Sequence, residues 1–295
     1  MRVARTKADL REVLSPARRE GRTIGLVPTM GYLHDGHLSL LRAARTRCDV
    51  VVMSLFVNPA QFGPTEDLDA YPRDEARDLE IAEECGVDLV YAPAVDEVYP
   101  EGFSTSVDVG GGLTDVLDGD PGRRGPAHFH GVTTVVAKLF NAVGPDVAFF
   151  GQKDAQQAIV IHRMARDLDF PVEIEVLPTV REPDGLAMSS RNAYLTPEER
   201  QRAGALSRAL RAAEEAAASG EGTAEAALDA ARAELKRAGI EPEYLEVLGA
   251  GDLRAPRWEP DEEVVIAVAA RVGGARLIDN ELVNVPVAAA QPVTT

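Results

Sequence analysis

The first 180 residues alternate between two hydrophobic patterns. Short, continuous apolar runs of strand length are separated by longer stretches in which apolar residues recur at helical spacing. The run DVVVMSLFV is so apolar and so rich in β-branched residues that it predicts a strand buried on both faces. The predicted strands are 23–29, 49–57, 87–93, 146–151 and 172–179, and the predicted helices are 6–14, 38–48, 72–86, 133–144 and 154–168. This alternation indicates right-handed βαβ units, so we expect an α/β fold with a Rossmann-like, doubly wound parallel sheet.

The pattern changes after about residue 195. Two Ala-, Glu- and Arg-rich helical stretches fill residues 197–238, separated by SGEGT, and strand patterns follow at 243–248 and 263–272. Helices followed by strands are typical of an α+β domain. We therefore predict a Rossmann-like domain that binds the ligands over residues 1–182. A smaller C-terminal α+β domain should follow over residues 183–295, ending in a frayed tail at 288–295.

Charge and composition narrow the classes of partner. Acidic residues outnumber basic ones by 48 to 31, and the net charge of −17 argues against nucleic acid, whose phosphates must be neutralised by Lys and Arg. No apolar run approaches the ~20 residues that span a bilayer, and the N-terminal residues lack the apolar stretch of a secretory signal. The two cysteines have no CxxC spacing. We expect a cytoplasmic protein with neither a membrane nor a nucleic-acid partner.

The first candidate site is the segment MGYLHDGH at residues 30–37, between a predicted strand and the next helix. Ligands bind beyond the carboxyl ends of parallel strands, and a helix N-terminus there presents free N–H groups to a phosphate. His34 and His37 stand near the predicted helix start, so both could donate to one nucleotide phosphate. Two surface histidines in a turn, or a pair of metal ligands, are the alternatives.

Two further donor-rich segments stand at loop positions. FGQKDAQQ (150–157) follows a predicted strand, where Lys153 offers a charge for phosphate and Asp154 an oxygen ligand for Mg²⁺. An N-cap aspartate beside a solvated lysine is the alternative. MSSRN (188–192) combines two hydroxyls with Arg191, a donor set suited to the β- and γ-phosphates of ATP, whereas a helix cap with a surface arginine is the simpler interpretation. Three such segments in one acidic chain favour a phosphate-binding site.

The order of these segments resembles one enzyme family. H-x-G-H followed by a late M-S-S-R is similar to the paired signatures of the nucleotidylyltransferases and class I aminoacyl-tRNA synthetases. Between about residues 23 and 280, the chain resembles the pantothenate synthetases. The segments that carry this resemblance are, in this order, PTMGYLHDGHLSL, SLFVNPAQF, YPRD, HFHGVTTVVAKLFN, FFGQKDAQQ, PTVREPDGLAMSSRN and ARVGGARLIDN. The resemblance implies a ligase that forms pantoyl adenylate from (R)-pantoate and MgATP, releases pyrophosphate, and passes the pantoyl group to β-alanine with loss of AMP.

The resemblance also implies roles for individual residues. The catalytic groups would be His37, His34, Lys153 and Arg191, and Asp154 would bind Mg²⁺. The ATP site would comprise Met30, Gly31, Tyr32, Leu33, His34, Asp35, Gly36, His37, Gly151, Gln152, Lys153, Asp154, Val180, Met188, Ser189, Ser190 and Arg191. Gln61 and Gln157 would hold pantoate, with Gln61 also near β-alanine. The region of the second substrate and the phosphates would be lined by Asn58, Tyr71, Arg124 and His128.

Two positions depart from the family pattern. Gln152 stands where many members have Glu. Members commonly carry an arginine three residues before His128, a place that Gly125 takes here, so it is open whether Arg124 fills that role. The resemblance further suggests a homodimer, for which strand 49–57 and its flanks offer a candidate surface. Because an acyl adenylate is vulnerable to water, we also expect a mobile cover from the 60s region or from the smaller domain.

Three other functions fit parts of the pattern. An adenylyltransferase that stops at AMP transfer is disfavoured by Gln61 and Gln157. A tRNA-charging enzyme is disfavoured by the negative charge and by the absence of an anticodon-binding extension. A non-catalytic nucleotide sensor is disfavoured by the intact His34, His37 and Lys153, and ATP binding without turnover would be its observable mark.

Overall fold

The computed structural model describes residues 1–63, 68–69, 71–219 and 222–286. The predicted tail at 288–295, and residues 64–67 and 70 in the segment expected to cover the site, lie outside the described residues. The chain divides into two compact units, one formed by Met1–Gln152 with Gln156–Val180 and the other by Lys153–Ala155 with Arg181–Thr295. Packing therefore groups Lys153–Ala155 with the C-terminal residues, an arrangement that a single boundary after residue 182 does not describe. No helix within the described ranges is long and apolar enough to cross a membrane.

The first unit is built on a parallel sheet, which has six strands in the part of the chain that the structure describes. The strands are β1 (Arg2–Ala4), β2 (Ile24–Thr29), β3 (Val50–Leu55), β4 (Leu89–Tyr91), β5 (Val147–Gly151) and β6 (Glu173–Leu177). Their order in the sheet is β1-β4-β3-β2-β5-β6, and every neighbouring pair is parallel. The strand order reverses between β2 and β5, which is where ligands bind in doubly wound sheets. The predicted fold class is confirmed.

The helices of the first unit connect these strands. They are α1 (Lys7–Arg19), α2 (Asp35–Arg47), α3 (Glu75–Glu84), α4 (Val95–Val98), α5 (Pro126–Val143) and α6 (Ala155–Asp167). Short 3₁₀ turns occupy Pro59–Gln61, Leu117–Gly119 and Gln152–Asp154. One core cluster joins Leu41 of α2 to Val27, Met53 and Phe149 of the sheet. The four inner strands β2 to β5 are largely apolar because such packing covers them, whereas the edge strands β1 and β6 are partly exposed and carry charged residues.

Strand β3 is not available as a dimer surface. Residues 50–54 are buried within the unit, and β3 pairs with β2 on one side and β4 on the other. Its apolar side chains belong to the internal core. The expectation that this strand offers an association surface is therefore wrong for residues 50–54, and for its flanks it stays a prediction.

The sequence pattern misplaced one end of each of two helices that contain proline. Helix α1 runs past its predicted end through Pro16 to Arg19, because Leu10, Leu14 and Ala17 form one buried stripe. Helix α5 starts at Pro126 and not at residue 133, since proline is favoured at the first helical position, where no intrahelical N–H is needed. Pro126 thus begins the helix seven residues before its predicted start.

The second unit has an antiparallel sheet, three-stranded among the described residues, in the order β7-β8-β9. Its strands are β7 (Pro242–Gly249), β8 (Glu263–Val272) and β9 (Ala275–Asn284). The helices are α7 (Pro197–Ala203), α8 (Ala205–Ala217) and α9 (Ala224–Arg237), preceded by a 3₁₀ turn at Ser190–Tyr194. The break at Gly204 divides the first of the two predicted helical stretches. Leu206 and Leu210 of α8 share a buried core with Ile266 and Val268 of β8, so the smaller α+β unit is as predicted.

Candidate functional site

The segment 30–37 leaves β2 through a turn fixed by a buried carboxylate. Gly31 has a φ of +86°, and a Cβ there would lie 2.7 Å from Leu55 Cδ1 and 2.8 Å from Asp78 Oδ2, so glycine is required. The backbone N–H groups of Tyr32 and Leu33 donate to the two oxygens of Asp78 at 2.7 and 2.8 Å. Asp78 is 1% exposed and stands on α3. It therefore holds the turn that presents His34 and the helix behind it.

His34 and His37 lie against each other at the start of α2. His34 precedes the helix as its N-cap, and the two ring centroids are 4.1 Å apart. The His34 N–H donates to Nδ1 of His37 at 3.3 Å, so a neutral His37 carries its proton on Nε2 and can donate it to a ligand. Gly36 is also constrained, because a Cβ there would lie 2.9 Å from Cε1 of His34.

The other residues of segment 30–37 can offer different groups to a ligand. The side chain of Leu33 is buried in the core, so only its backbone is available, whereas Asp35 is exposed. Met30 contacts the predicted pantoate residue directly, since Gln61 Nε2 donates to its Sδ at 3.1 Å. The first unit thus brings Met30, at the start of this segment, next to Gln61.

Gln61 ends a 3₁₀ turn that is clamped from several sides. Its Oε1 accepts from Asn58 Nδ2 at 3.1 Å, and its backbone carbonyl accepts from Nδ1 of His128 at 2.8 Å. Helix α5 approaches so closely that a Cβ on Gly131 would lie 2.2 Å from the carbonyl oxygen of Ala60. Both the main chain and the amide of Gln61 are therefore held in place.

His128 has both ring nitrogens engaged. Because Nδ1 donates to the Gln61 carbonyl, Nε2 accepts from Arg124 Nη1 at 3.1 Å, and the ring is held neutral in one tautomer. Gly125, immediately before α5, has a φ of +78°. An arginine at this position could adopt that backbone conformation only with strain. Arg124, one residue earlier, extends to His128 instead. Its part in substrate binding stays a prediction.

Lys153 and Asp154 belong to the second unit by packing. The carboxamide of Asn280, on β9, donates to the Lys153 carbonyl oxygen at 2.9 Å and so fixes the 3₁₀ turn. Asp279, 2% exposed, accepts from Arg181 at 2.7 and 3.2 Å. Burial raises the pKa of Asp279, and the Arg181 guanidinium opposes that rise. A buried ion pair thus flanks the amide that holds the lysine.

Asp154 would suit a Mg²⁺ ion that arrives with its nucleotide. Its carboxylate is about half exposed and lies 4.0 Å from Lys153 Nζ. No group of three or more His, Cys, Asp or Glu in the described ranges could form a metal cage. Magnesium commonly binds through one or two carboxylates and substrate phosphates, so a single open carboxylate fits it. The same observation gives no support to His34 and His37 as metal ligands.

The segment 188–192 lies in the second unit. Ser189 precedes the 3₁₀ turn as its N-cap, and its hydroxyl accepts from the Arg191 N–H at 3.3 Å, while the Arg191 side chain is exposed. Asn192 is buried and donates to Glu182 Oε1 at 2.6 Å and to the Ala187 carbonyl at 3.0 Å. Met188 and Ser190 are partly exposed. The segment both caps a turn and leaves a guanidinium accessible, so the two sequence interpretations are compatible.

The remaining predicted residues are all in the first unit. Gln157 on α6 is half-buried, as are Tyr71, whose ring packs edge-on against Phe62 at 5.7 Å, and Val180. Gly151 ends β5, next to β2, and Gln152 follows in a 3₁₀ turn. The roles proposed for these residues stay predictions.

Comparison with known proteins shows where the chain belongs. A family described as pantoate-beta-alanine ligase matches residues 2–282. The chain belongs to this family. It is 54% identical to the pantothenate synthetase of Moorella thermoacetica over 97% of this chain and 99% of that protein. The crystal structure of pantothenate synthetase from Thermus thermophilus has a TM-score of 0.88 at 48% identity, covering 97% of this chain and all of that one.

A third relative carries information about ligands. The pantoate-beta-alanine ligase from Francisella tularensis, described as complexed with beta-gamma ATP and beta-alanine, has a TM-score of 0.77 at 30% identity. It covers 96% of this chain and 97% of its own. Pantoate–β-alanine ligases therefore match this chain in both sequence and fold over 96–97% of its length.

Sequence reasoning missed three residues that hold predicted site residues within their own unit. Asp78 holds the histidine turn, Asn280 holds the lysine turn, and Tyr99 donates to Asn58 at 2.7 Å. Asp78 left a usable signal, because helical spacing places it on the buried face of α3 together with Ala82. A charged residue at such a position indicates a buried partner. Asn280 stands within the LIDN segment that carried the resemblance, but no pattern indicated its partner.

Proposed function

We propose that this chain ligates (R)-pantoate to β-alanine, with ATP converted to AMP and pyrophosphate through a pantoyl-adenylate intermediate. The observation that carries the proposal is membership of the pantoate–β-alanine ligase family over residues 2–282. The Francisella relative described with beta-gamma ATP and beta-alanine supports the same two substrates here. The product would be a precursor of coenzyme A.

In the first step a pantoate carboxylate oxygen attacks the α-phosphorus of ATP. A new P–O bond forms to the acyl oxygen, the bond to the bridging oxygen of the β-phosphate breaks, and pyrophosphate leaves. Gln61 and Gln157 would hold pantoate through amide donors, which leave its carboxylate unpaired and therefore nucleophilic. His34 and His37 would donate to the reacting phosphate, and catalysis would come from positioning and electrostatic stabilisation.

Lys153, Arg191, Ser189 and Ser190 would bind the departing phosphates. A guanidinium and an ammonium group both stabilise the charge that develops on the leaving pyrophosphate. The backbone of residues 30–37, Gly151, Gln152 and Val180 would bind the rest of the nucleotide. Asp154 would hold Mg²⁺, which supplies charge neutralisation on the phosphates when bound.

In the second step the β-alanine amine attacks the acyl carbon of the adenylate. The C–N bond forms, the acyl C–O bond to AMP breaks, and the amine loses a proton. Gln61 would lie beside both substrates, with Tyr71, Arg124 and His128 around the second-substrate region, whereas the predicted lining residue Asn58 is buried behind Gln61. We also propose a cytoplasmic homodimer, on the strength of the family resemblance.

The test is pantoate-dependent exchange of labelled pyrophosphate into ATP, with Mg²⁺ present and β-alanine absent. Exchange with pantoate but not with related hydroxy acids, followed by pantothenate and AMP formation on adding β-alanine, is the expected result. ATP binding without exchange would indicate a nucleotide sensor, and exchange supported only by another acceptor would move the activity to an adenylyltransferase.

A further inference from the structure

Asn58 is the centre of a hydrogen-bond network next to Gln61. Its Nδ2 donates to Gln61 Oε1 and to the Gly131 carbonyl, each at 3.1 Å. Its Oδ1 accepts from the Ala60 N–H at 3.3 Å and from the Tyr99 hydroxyl at 2.7 Å. An asparagine amide offers two donors and two acceptor positions, and all four are used inside the protein. With 1% of its surface exposed, Asn58 can influence a substrate only through its neighbours.

The network allows the Asn58 amide a single orientation. The Gly131 carbonyl can only accept and the Ala60 N–H can only donate, so Nδ2 must face Gly131 and Oδ1 must face Ala60. The second Nδ2 hydrogen then points to Gln61 and selects its Oε1 as the partner. The Nε2 donor of Gln61 is directed away from Asn58, to Met30 Sδ at 3.1 Å. A thioether is a weak acceptor, so a substrate oxygen can readily replace it.

Tyr99 anchors this network from the far side. Its ring contacts those of Phe56 and Phe103, with centroids 6.3 and 5.1 Å away. Burial raises the pKa of Tyr99 to about 12, although its hydrogen bond to Asn58 acts in the opposite direction. The phenol therefore stays protonated near neutral pH and donates to Oδ1 of Asn58.

We propose that Asn58, anchored by Tyr99, is a positioning residue that turns the Nε2 donor of Gln61 toward the oxygens of the hydroxy-acid substrate. The inference rests on the proposed function, in which Gln61 holds pantoate. It assigns Asn58 a role through Gln61, not a place in direct contact with substrate. This hydrogen-bond network presents the Nε2 donor of Gln61 to the substrate, so the substrate must offer a hydrogen-bond acceptor there.

The first test variant is Tyr99→Phe, which removes one hydroxyl and keeps the ring. Pantoate-dependent pyrophosphate exchange isolates the first half-reaction, so the KM for pantoate and the KM for ATP can be measured separately. Loss of one net hydrogen bond in the Asn58 network should raise the KM for pantoate about five- to tenfold. The KM for ATP and the melting temperature should stay close to wild type. Tyr91→Phe, the same change on β4 of the same unit, is the matched control and should leave both constants unchanged.

The second variant is Asn58→Asp, which is isosteric but presents an acceptor to Gln61. The Gln61 amide should then turn its Nε2 to the new carboxylate and its Oε1 to the substrate, raising the KM for pantoate about 30-fold or more. Should this variant fail to fold, Tyr99→Phe alone decides the matter. A wild-type KM for pantoate in folded Tyr99→Phe, or equal rises in both KM values, would overturn the inference. Absence of exchange in the wild-type protein would instead overturn the proposed function on which it rests.

Discussion

Replacing Asp78 by Asn tests whether one buried carboxylate holds the histidine turn. The carboxylate accepts from two backbone N–H groups, those of Tyr32 and Leu33, at 2.7 and 2.8 Å. Asparagine has the same shape but a single acceptor oxygen, so its NH₂ group must face one of these donors. One hydrogen bond to a charged group is lost and its buried N–H is left without an acceptor, a single loss worth about 1.5–3 kcal/mol. The free energy of unfolding of the first unit should fall by about 2–3 kcal/mol.

Thermal unfolding measures this loss. For a unit of this size each kcal/mol lowers the melting temperature by about 2–4 °C, so we expect a decrease of about 4–12 °C in Asp78→Asn. Asp74→Asn is the matched control, because Asp74 caps the same helix by accepting from Arg77 N at 3.2 Å, and asparagine caps a helix equally well. The control should melt within about 2 °C of wild type. If Asp78→Asn melts with the control, the carboxylate does not hold the turn and our account of this loop is wrong.

Three further substitutions address the remaining groups. His37→Ala should lower the rate of adenylate formation by about 100-fold or more, with little change in ATP affinity, whereas His162→Ala on the exposed face of α6 should behave as wild type in the exchange assay. Gln157→Ala should raise the KM for pantoate and leave ATP binding nearly intact, and titration showing a selective loss of ATP binding would refute its assignment. Asn280→Ala removes the 2.9 Å bond to the Lys153 carbonyl and should lower the exchange kcat about tenfold with an unchanged KM for pantoate; an unchanged kcat would show that the lysine turn holds itself.

The order of strands and helices was readable from the sequence, because each buried strand is a continuous apolar run and each helix has an apolar stripe. The boundaries were less readable. Helix α1 continues through Pro16 because its buried stripe extends past that residue, and β1 at Arg2–Ala4 is too short to show a pattern. Tertiary packing decides such ends, and local preference does not.

The three donor-rich segments each stand at a motif of recognisable chemistry, so the sequence alone proposes them as site residues, and their roles stay predictions. Their supporting residues were not predicted, because they come from distant parts of the chain. Asp78 is 46 residues from Tyr32, and Asn280 is 127 residues from Lys153. A sequence pattern reports local spacing, so a hydrogen bond between such positions leaves no trace in it unless a polar residue occupies an apolar position, as Asp78 does.

Gly131 limits how this protein could be engineered for heat resistance. Glycine inside a helix is a usual target for exchange to alanine, because alanine is favoured there by up to about 1 kcal/mol. Here the added methyl group would lie 2.2 Å from the Ala60 carbonyl oxygen and 2.6 Å from the Gln61 nitrogen, both of them backbone atoms that cannot rotate away. A screen for thermostable variants should therefore find gains at exposed helix positions but not at residue 131. There, the added methyl group would displace Gln61, the residue proposed to hold pantoate.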